Sequence, residues 1–198
     1  PGILQSATFD GHLMAVPYAD ASVESTHYLW IRQDWLDKLQ LEPPKTMQDL
    51  QNIAEAFTTR DPDGNGKDDT YAMAVTKDLY SGAMGTEGFF AGYHSYPNMW
   101  VKTDDGTLAW GSVLPETKDA LKALADMYAA GELDPEFGIK DGAKVAETIA
   151  AGKVGIDFGE QWNPMYPLIS NYQNDPEADW VGYPIVSADD TLPKVPQK

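Results

Sequence analysis

Oxygen-bearing side chains alternate along one nine-residue segment, Asp61–Asp69, which reads DPDGNGKDD. Calcium takes six to eight oxygen ligands, and an EF-hand loop supplies them from its first, third, fifth, seventh and ninth positions. Those positions here hold, in order, Asp61, Asp63, Asn65, Lys67 (through its carbonyl) and Asp69. Gly66 stands sixth, where the loop must turn sharply. The spacing therefore predicts a structural Ca²⁺ ion.

The segment departs from an EF-hand after its ninth position. The twelfth position, which carries a bidentate Glu in an EF-hand, is Ala72, and a strand is predicted from Tyr71 where the second helix would stand. Because only half of the EF-hand motif is present, we expect a structural ion that fixes a helix to a strand. We do not expect a calcium sensor. A turn that binds nothing remains the alternative. Such loops match millimolar extracellular calcium, which indicates an extracellular or periplasmic protein.

Aromatic residues are the second group that could do chemistry, with 6 Trp and 10 Tyr in the chain. Aromatic faces stack on the apolar faces of sugar rings, and nearby carboxylates bind the hydroxyls. Trp162 follows a predicted strand, at the kind of edge where α/β sheets bind ligands. Trp35 and Trp180 are assigned to the core instead. The candidate ligand-contacting residues are Trp162, Trp100, Glu160, Asp157, Tyr18, Trp30 and Tyr96.

Catalytic patterns are missing from the sequence, so we expect no enzyme. The 3 His residues have no metal-binding spacing, and no nucleophile elbow or phosphate loop occurs. The chain has no Cys, which excludes disulfides, a thiol nucleophile and Cys-based zinc sites. Asp157 and Glu160 leave a secreted glycan-active enzyme open as an alternative, although closeness in sequence establishes no catalytic separation. A calcium-dependent adhesion or scaffold module is the other alternative.

The charge balance excludes some partners. Lys and Arg number 14 against 31 Asp and Glu, for a net charge of −17, so the surface repels nucleic acid. Apolar runs are too short to span a bilayer. The 198 residues suffice for one substantial domain or lobe, which we expect to be a monomer.

The elements that must position these residues alternate between strands and helices. Strands are predicted at 28–32, 71–75, 154–159 and 180–186, and helices at 34–41, 115–133, 143–151 and 162–172. Thr46 and Asp49 form a capping-box pattern for a further helix that ends before Asp61. Asp10-Gly11 and the apolar run after it predict either a short hairpin or an extended strand, and a hairpin is predicted at 104–106. This order predicts an α/β lobe with a mixed sheet flanked by helices.

Several segments, in this order, resemble family 1 extracellular solute-binding proteins. Residues 9–17 (FDGHLMAVP) resemble a hinge strand of that family, and residues 29–39 (LWIRQDWLDKL) are similar to the segment that follows it. The Asp61–Asp69 loop, Trp110-Gly111-Ser112 and Gly152–Ile156 continue the match over nearly the whole chain. The lipoprotein-type oligosaccharide binders, including alginate-binding proteins, are the most similar members; where they often have Glu just after the ninth loop position, this chain has Thr70.

The resemblance implies a periplasmic-binding-protein-like type II fold and a binding function. It implies capture of an oligosaccharide or other small solute without catalysis, delivery to the permease of an ABC importer, and a lipid-anchored or periplasmic location. By the same resemblance, residues 1–18 form a hinge strand region and residues 19–184 the C-terminal lobe with its calcium loop. Residues 185–198 form a return hinge segment, and the N-terminal lobe lies outside this chain.

Overall fold

The computed structural model describes residues 2–17, 26–80, 82–103, 105–189 and 191–194. In chain order its helices and strands are α1 (Gly2–Ser6), β1 (Thr8–Phe9), β2 (His12–Leu13), β3 (His27–Arg32), α2 (Gln33–Leu39), α3 (Met47–Thr59), β4 (Tyr71–Met73), α4 (Glu87–Gly92), β5 (Trp100–Lys102), β6 (Leu108–Trp110), α5 (Pro115–Ala129), α6 (Gly142–Ala150), β7 (Val154–Glu160), α7 (Ile169–Asn174) and β8 (Trp180–Tyr183).

The central sheet is mixed and has four strands in the order β4-β7-β3-β8. β4 runs parallel to β7, whereas β3 is antiparallel to both β7 and β8. All seven residues of β7 are buried, as expected for an interior strand covered on both faces. The sheet confirms the predicted mixed α/β architecture.

Helices cover both faces of β7. A Cβ on Gly155 would lie 2.3 Å from the Phe57 ring and 2.6 Å from Trp35, so α2 and α3 pack closely on that face. Phe158 points to the opposite face, because residues of unlike parity alternate across a strand, and it contacts Gly88 of α4. The predicted core positions of Trp35 and Trp180 are confirmed, with 1% and 4% of their surface exposed.

Local signals explain where the helices begin. Thr46 accepts a hydrogen bond from the backbone N–H of Asp49, and the Asp49 side chain accepts one from the Thr46 backbone, so the predicted capping box of α3 is confirmed. Pro115 occupies the first turn of α5, and Asp141 caps α6 by accepting from Lys144 N. α5 ends at Ala129 and not at the predicted position 133. Gly131 follows the end of the helix and has φ 79°, a left-handed conformation that does not continue an α-helix.

β4 ends at Met73 and not at the predicted position 75, and two further predicted elements are interrupted by proline. The helix predicted at 162–172 covers only Ile169–Asn174, because Pro167 lacks the N–H that would bond back to Asn163. Leu168 N donates to the Asn163 carbonyl instead, which closes a turn over residues 163–168. The strand predicted at 180–186 ends at Tyr183, just before Pro184, whose ring cannot donate to a sheet.

Both predicted hairpins form. β1 pairs with β2 through a turn in which Asp10 and Gly11 have positive φ, and β5 pairs with β6. Within the described part of the chain, no helix is long and apolar enough to cross a bilayer.

Candidate functional site

The carboxyl end of β7 gathers three of the predicted ligand residues. The strand register places Trp30 opposite Asp157 and His27 opposite Glu160. Trp30 Nε1 lies 3.3 Å from the carbonyl oxygens of both Gly159 and Glu160. His27 Nε2 lies 3.6 Å from Glu160 Oε1, and both side chains are largely buried. Polar and aromatic groups therefore meet at one end of the sheet, just before Trp162.

Trp162 lies on the turn that follows β7, here called the Trp162 loop and defined as residues 161–168. Its side chain is 37% exposed, and Met165 and Tyr166 on the same loop are 73% and 46% exposed. The Trp162 carbonyl accepts from Met165 N at 2.8 Å, so the turn is tight. Two aromatic rings and a thioether are thus presented to solvent, which is the type of surface that stacks on a sugar ring.

Asp157 lies beneath this loop and not at its surface. Its side chain is fully buried, and its Oδ2 accepts a 2.7 Å hydrogen bond from Asn163 Nδ2. Burial first, and then the nearby Glu160 carboxylate, raise the pKa of Asp157 to about 8, while the bond from Asn163 acts in the opposite direction. At neutral pH the carboxyl is therefore mostly protonated, and it supports the Trp162 loop from below.

The remaining predicted ligand residues lie elsewhere. Trp100 is 66% exposed on the β5–β6 hairpin, where its ring packs edge-to-face on Trp110 with centroids 5.5 Å apart. Tyr96 precedes that hairpin, and its hydroxyl accepts from Lys194 N at 2.9 Å. Tyr18 lies outside the described residues. Trp100 and Tyr96 therefore lie on and just before the β5–β6 hairpin, outside the Trp162 loop.

The Asp61–Asp69 segment folds as a tight loop between α3 and β4. Gly66 has φ 75°, so the sixth position adopts the left-handed conformation that favours glycine. Asp61 accepts from the backbone N–H groups of Asn65 and Gly66, each at 3.0 Å. Asn65 Oδ1 accepts from Lys67 N at 2.8 Å. β4 follows directly, as predicted, so no second helix faces the loop.

The donor set of this loop fits a hard cation. Asn65 Nδ2 lies 2.6 Å from Asp63 Oδ2 and 3.1 Å from Asp69 Oδ1, so two carboxylates converge on one amide. Desolvation, and then the neighbouring Asp61 and Asp69, raise the pKa of Asp63. Lys153 forms an ion pair with Asp69. Carboxylates crowded in this way repel one another unless a cation or proton lies between them. Within the described residues, no three or more His, Cys, Asp or Glu side chains are grouped so that they could hold a metal ion.

The loop and Trp162 lie at opposite ends of the sheet. β4 and β7 are parallel, and the loop precedes β4 whereas Trp162 follows β7. A seven-residue strand spans about 20 Å. An ion in the loop would therefore act on stability and would not touch a ligand at Trp162.

Sequence reasoning missed two residues of this site. Asn163 is fully buried and joins the Trp162 loop to β7, and His27 is the partner of Glu160. Pro164, next to Asn163, was a usable signal that the segment does not begin as a regular helix. The His27–Glu160 pairing depends on strand register, which one sequence does not reveal.

Solved structures place the fold in a known class. A solute-binding protein from Bifidobacterium longum infantis, described as HMO-binding and ABC-transporter-associated, matches with a TM-score of 0.73 over 96% of this chain and 40% of its own, at 23% identity. FusA of S. pneumoniae in complex with kestose matches with a TM-score of 0.71, covering 91% of this chain and 36% of its own, at 24% identity. An EF-hand mutant of FusA with fructo-nystose gives 0.70 over 89% and 35%, at 23% identity. The fold is that of a periplasmic-binding-protein-like lobe.

Three curated protein sequences are related to this chain. The polygalacturonan/rhamnogalacturonan-binding protein YtcQ of Bacillus subtilis is 34% identical over 79% of this chain and 30% of its own length. Lipoprotein LipO of the same organism is 34% identical over 64% and 25%. The fructooligosaccharide ABC transporter substrate-binding protein FusA of Streptococcus pneumoniae is 32% identical over 64% and 25%. No protein-family model matches the chain.

The resemblance predicted from the sequence is confirmed: the chain is homologous to the substrate-binding proteins of ABC transporters. It spans between a quarter and a third of the length of these curated relatives. The names of YtcQ and FusA describe binding proteins.

Proposed function

We propose that this chain is part of an extracellular substrate-binding protein that captures a carbohydrate for an ABC importer. The observation that carries the proposal is the exposed Trp162 loop at the carboxyl end of β7, fixed from below by a buried polar pair. An aromatic surface on a rigid support binds sugar rings reversibly, and nothing in the arrangement requires a covalent step.

The names of the relatives support the ligand class. YtcQ is named for pectic polysaccharides and FusA for fructooligosaccharides, and carbohydrate is the chemistry that these names share. Trp162 and Glu160 are the proposed contacts at the end of β7. Trp100 and Tyr96 are proposed as further ligand contacts at the β5–β6 hairpin. Trp30 is proposed as a supporting residue, because its indole N–H is directed at backbone carbonyls.

The proposed partners and location follow from the same relatives. LipO is named as a lipoprotein and FusA as a transporter component. We therefore propose that the intact protein is held at the cell surface by a lipid anchor or lies in the periplasm. We further propose that it is a monomer and that its partner is the permease of an ABC importer. Closure of two lobes around the ligand would create the shape that the permease recognises.

A structural Ca²⁺ in the Asp61–Asp69 loop is the proposed cofactor. Asp61, Asp63, Asn65, Lys67 and Asp69 would hold it by the oxygen set predicted from the spacing. The convergence of Asp63 and Asp69 on one amide supports the proposal, as does the FusA structure described as an EF-hand mutant. The ion would neutralise the carboxylates and fix α3 to β4.

The glycosidase alternative receives no support from the site geometry. Glycosidases need two carboxyl groups that reach opposite sides of a bound sugar. Asp157 is fully buried beneath the Trp162 loop, so Asp157 and Glu160 do not form such a pair.

A titration of the full-length protein tests the proposal. The protein is mixed with a panel of pectic, fructan and other oligosaccharides, while tryptophan fluorescence reports binding and chromatography reports products. We expect saturable binding to one carbohydrate class with the sugar recovered intact. Turnover of any sugar would overturn the binding function, and a protein that binds amino acids or peptides but no sugar would overturn the ligand class.

A further inference from the structure

A buried side-chain pair joins the Trp162 loop to the sheet. Asn163 and Asp157 are both 0% exposed, and 2.7 Å separates Asn163 Nδ2 from Asp157 Oδ2. The remaining polar atom of each side chain, Oδ1 in both residues, is buried without a hydrogen-bond partner among the described residues. Such atoms cost free energy in a folded protein, so a pair that retains them is a candidate for a specific role.

The Asn163 backbone holds the loop at both ends. Its N–H donates to the Glu160 carbonyl at 3.0 Å, and its carbonyl accepts from Leu168 N at 3.0 Å. The two bonds close the turn from the last residue of β7 to the start of α7. Trp162 lies inside this closed turn, next to Asn163, so its ring direction depends on where Asn163 is held.

Gly159 makes room for the Asn163 amide. A Cβ at Gly159 would lie 2.0 Å from Asn163 Nδ2 and 2.5 Å from Oδ1, distances that no real side chain tolerates. The Asn163 side chain therefore lies flat against the bare backbone of β7, where it reaches Asp157. Asp157 thus supplies the hydrogen-bond acceptor, Gly159 leaves the space, and Asn163 supplies the donor.

We propose that Asp157 and Asn163 form a positioning pair that holds Trp162 in its ligand-binding orientation, with Asp157 acting in its uncharged form. This inference rests on the proposed function, because Trp162 is the proposed ligand contact. Neither residue of the pair touches the ligand. They set affinity by keeping the Trp162 loop ordered before the sugar arrives, which lowers the entropy lost on binding.

The uncharged form is required because the site offers few groups that could stabilise a carboxylate. Glu160 on the same strand acts directly on Asp157, and the partner of Glu160 is His27 on β3. Glu87 of α4 lies near Glu160, because Glu87 Oε1 accepts from Gly82 N at 3.1 Å and a Cβ on Gly82 would lie 3.4 Å from Glu160 Oε1. The carboxylate of Glu160 opposes a second negative charge at Asp157.

Three variants of the full-length protein separate positioning from ligand contact. Asn163→Ala removes the donor. Asp157→Asn keeps an acceptor oxygen and a neutral side chain at any pH. Asn174→Ala is the matched control. Asn174, at the end of α7, also donates its side-chain amide, but the bond is exposed to solvent and its acceptor is the Ala150 carbonyl of α6. Hydrogen exchange of the loop amides is measured without ligand, and Kd is measured for the sugar identified in the panel.

We expect Asn163→Ala to raise exchange at residues 161–168 and to weaken Kd about tenfold, the loss expected when a buried hydrogen-bond partner is removed. Asn174→Ala should change neither. In the wild type, Kd should weaken as the pH rises from 7 to 9, whereas Asp157→Asn should bind tightly with a flat profile. His27, Glu160 and Glu87 are present in both proteins, so the difference between the two profiles reports Asp157.

The outcomes distinguish the two proposals. Unchanged loop exchange and unchanged Kd in Asn163→Ala would overturn the positioning pair and leave carbohydrate binding intact. Parallel pH profiles for the wild type and Asp157→Asn would overturn the requirement for the uncharged form. If the wild type binds no sugar, the proposed function fails, while the exchange measurement still decides whether the pair orders the loop.

Discussion

Asn163 donates its side-chain amide to Asp157 six residues earlier in the chain, across 2.7 Å and without access to solvent. This bond connects the interior of an all-buried strand to the exposed loop that carries Trp162. A change in the protonation of one core carboxyl is therefore coupled to the order of a surface element. The coupling gives predictions for stability as well as for binding.

The stability of the protein should fall as the pH rises from about 4 to about 8. The pKa of native Asp157 is raised to about 8, whereas the unfolded carboxyl titrates near its ordinary value of 3.8. Between these values the native state holds a proton that the unfolded state has released, so unfolding becomes easier with each pH unit, by up to about 1.4 kcal/mol for one proton. Denaturant unfolding of the wild type and Asp157→Asn at several pH values measures this. The difference between the two should grow with pH and level off above about pH 8; parallel curves would show that Asp157 ionises normally.

Gly159→Ala should destabilise the fold by about 1–3 kcal/mol, the usual cost of overpacking. The added methyl group would occupy the space of the Asn163 amide. Gly138→Ala is the matched control, because nothing lies within 4 Å of a Cβ at that position. Gly159→Ala should cost less in an Asn163→Ala background, where the colliding group is gone. Additive losses in the double variant would contradict the contact.

Calcium should raise the melting temperature of the full-length protein, and Asp63→Asn should abolish the response. An ion at about 100 times its Kd stabilises the native state by about 2.7 kcal/mol. Without calcium, Asp63→Asn should be as stable as the wild type or more so, because it removes one of the crowded carboxylates. Asp68→Asn, at the exposed eighth position of the loop, should retain the full response. A melting temperature indifferent to millimolar calcium would favour a turn that binds nothing.

Arg32→Ala should destabilise the fold by about 3 kcal/mol, because it removes several charge-assisted hydrogen bonds made by a buried guanidinium to the partly exposed Asp34 and Asp175. The Arg32 guanidinium is 3% exposed, lies 3.0 Å from Asp175 and pairs with Asp34 through two hydrogen bonds. It also stacks 4.9 Å above the Trp35 ring. Lys122→Ala is the control, because Lys122 pairs with Asp126 on the exposed surface of α5 and should contribute under about 1 kcal/mol. Equal effects of the two substitutions in denaturant unfolding would contradict the difference in burial.

Features fixed by neighbouring residues could be predicted from the sequence. The capping box of Thr46 depends only on a residue three positions later, and the Asp10-Gly11 turn depends on two residues that tolerate positive φ. Trp35 and Trp180 follow the apolar period of their elements and are buried as predicted. The order of the strands and helices was enough to indicate a mixed sheet.

The arrangement of the site depends on contacts that the sequence does not display. A helix is predicted at 162–172, yet Pro167 and the bond from Asn163 to Asp157 keep the first half of the segment in a turn. Asp157 looks like an accessible acid in the sequence, and its burial follows only from the position of β7 between β4 and β3. Whether Trp162 and the other predicted ligand residues bind sugar, and whether Asp61–Asp69 binds calcium, stay predictions.

The most direct test of the central claim is the carbohydrate affinity of Trp162→Ala in the full-length protein, measured by calorimetry. Tyr128→Ala is the control, since Tyr128 is an aromatic residue of α5 that is 46% exposed. An aromatic contact contributes about 0.5–1.5 kcal/mol beyond the area it buries, so we expect Trp162→Ala to weaken Kd by more than about tenfold and Tyr128→Ala to leave it unchanged. An affinity equal to that of the wild type in Trp162→Ala would remove the Trp162 loop from the binding site and contradict the account.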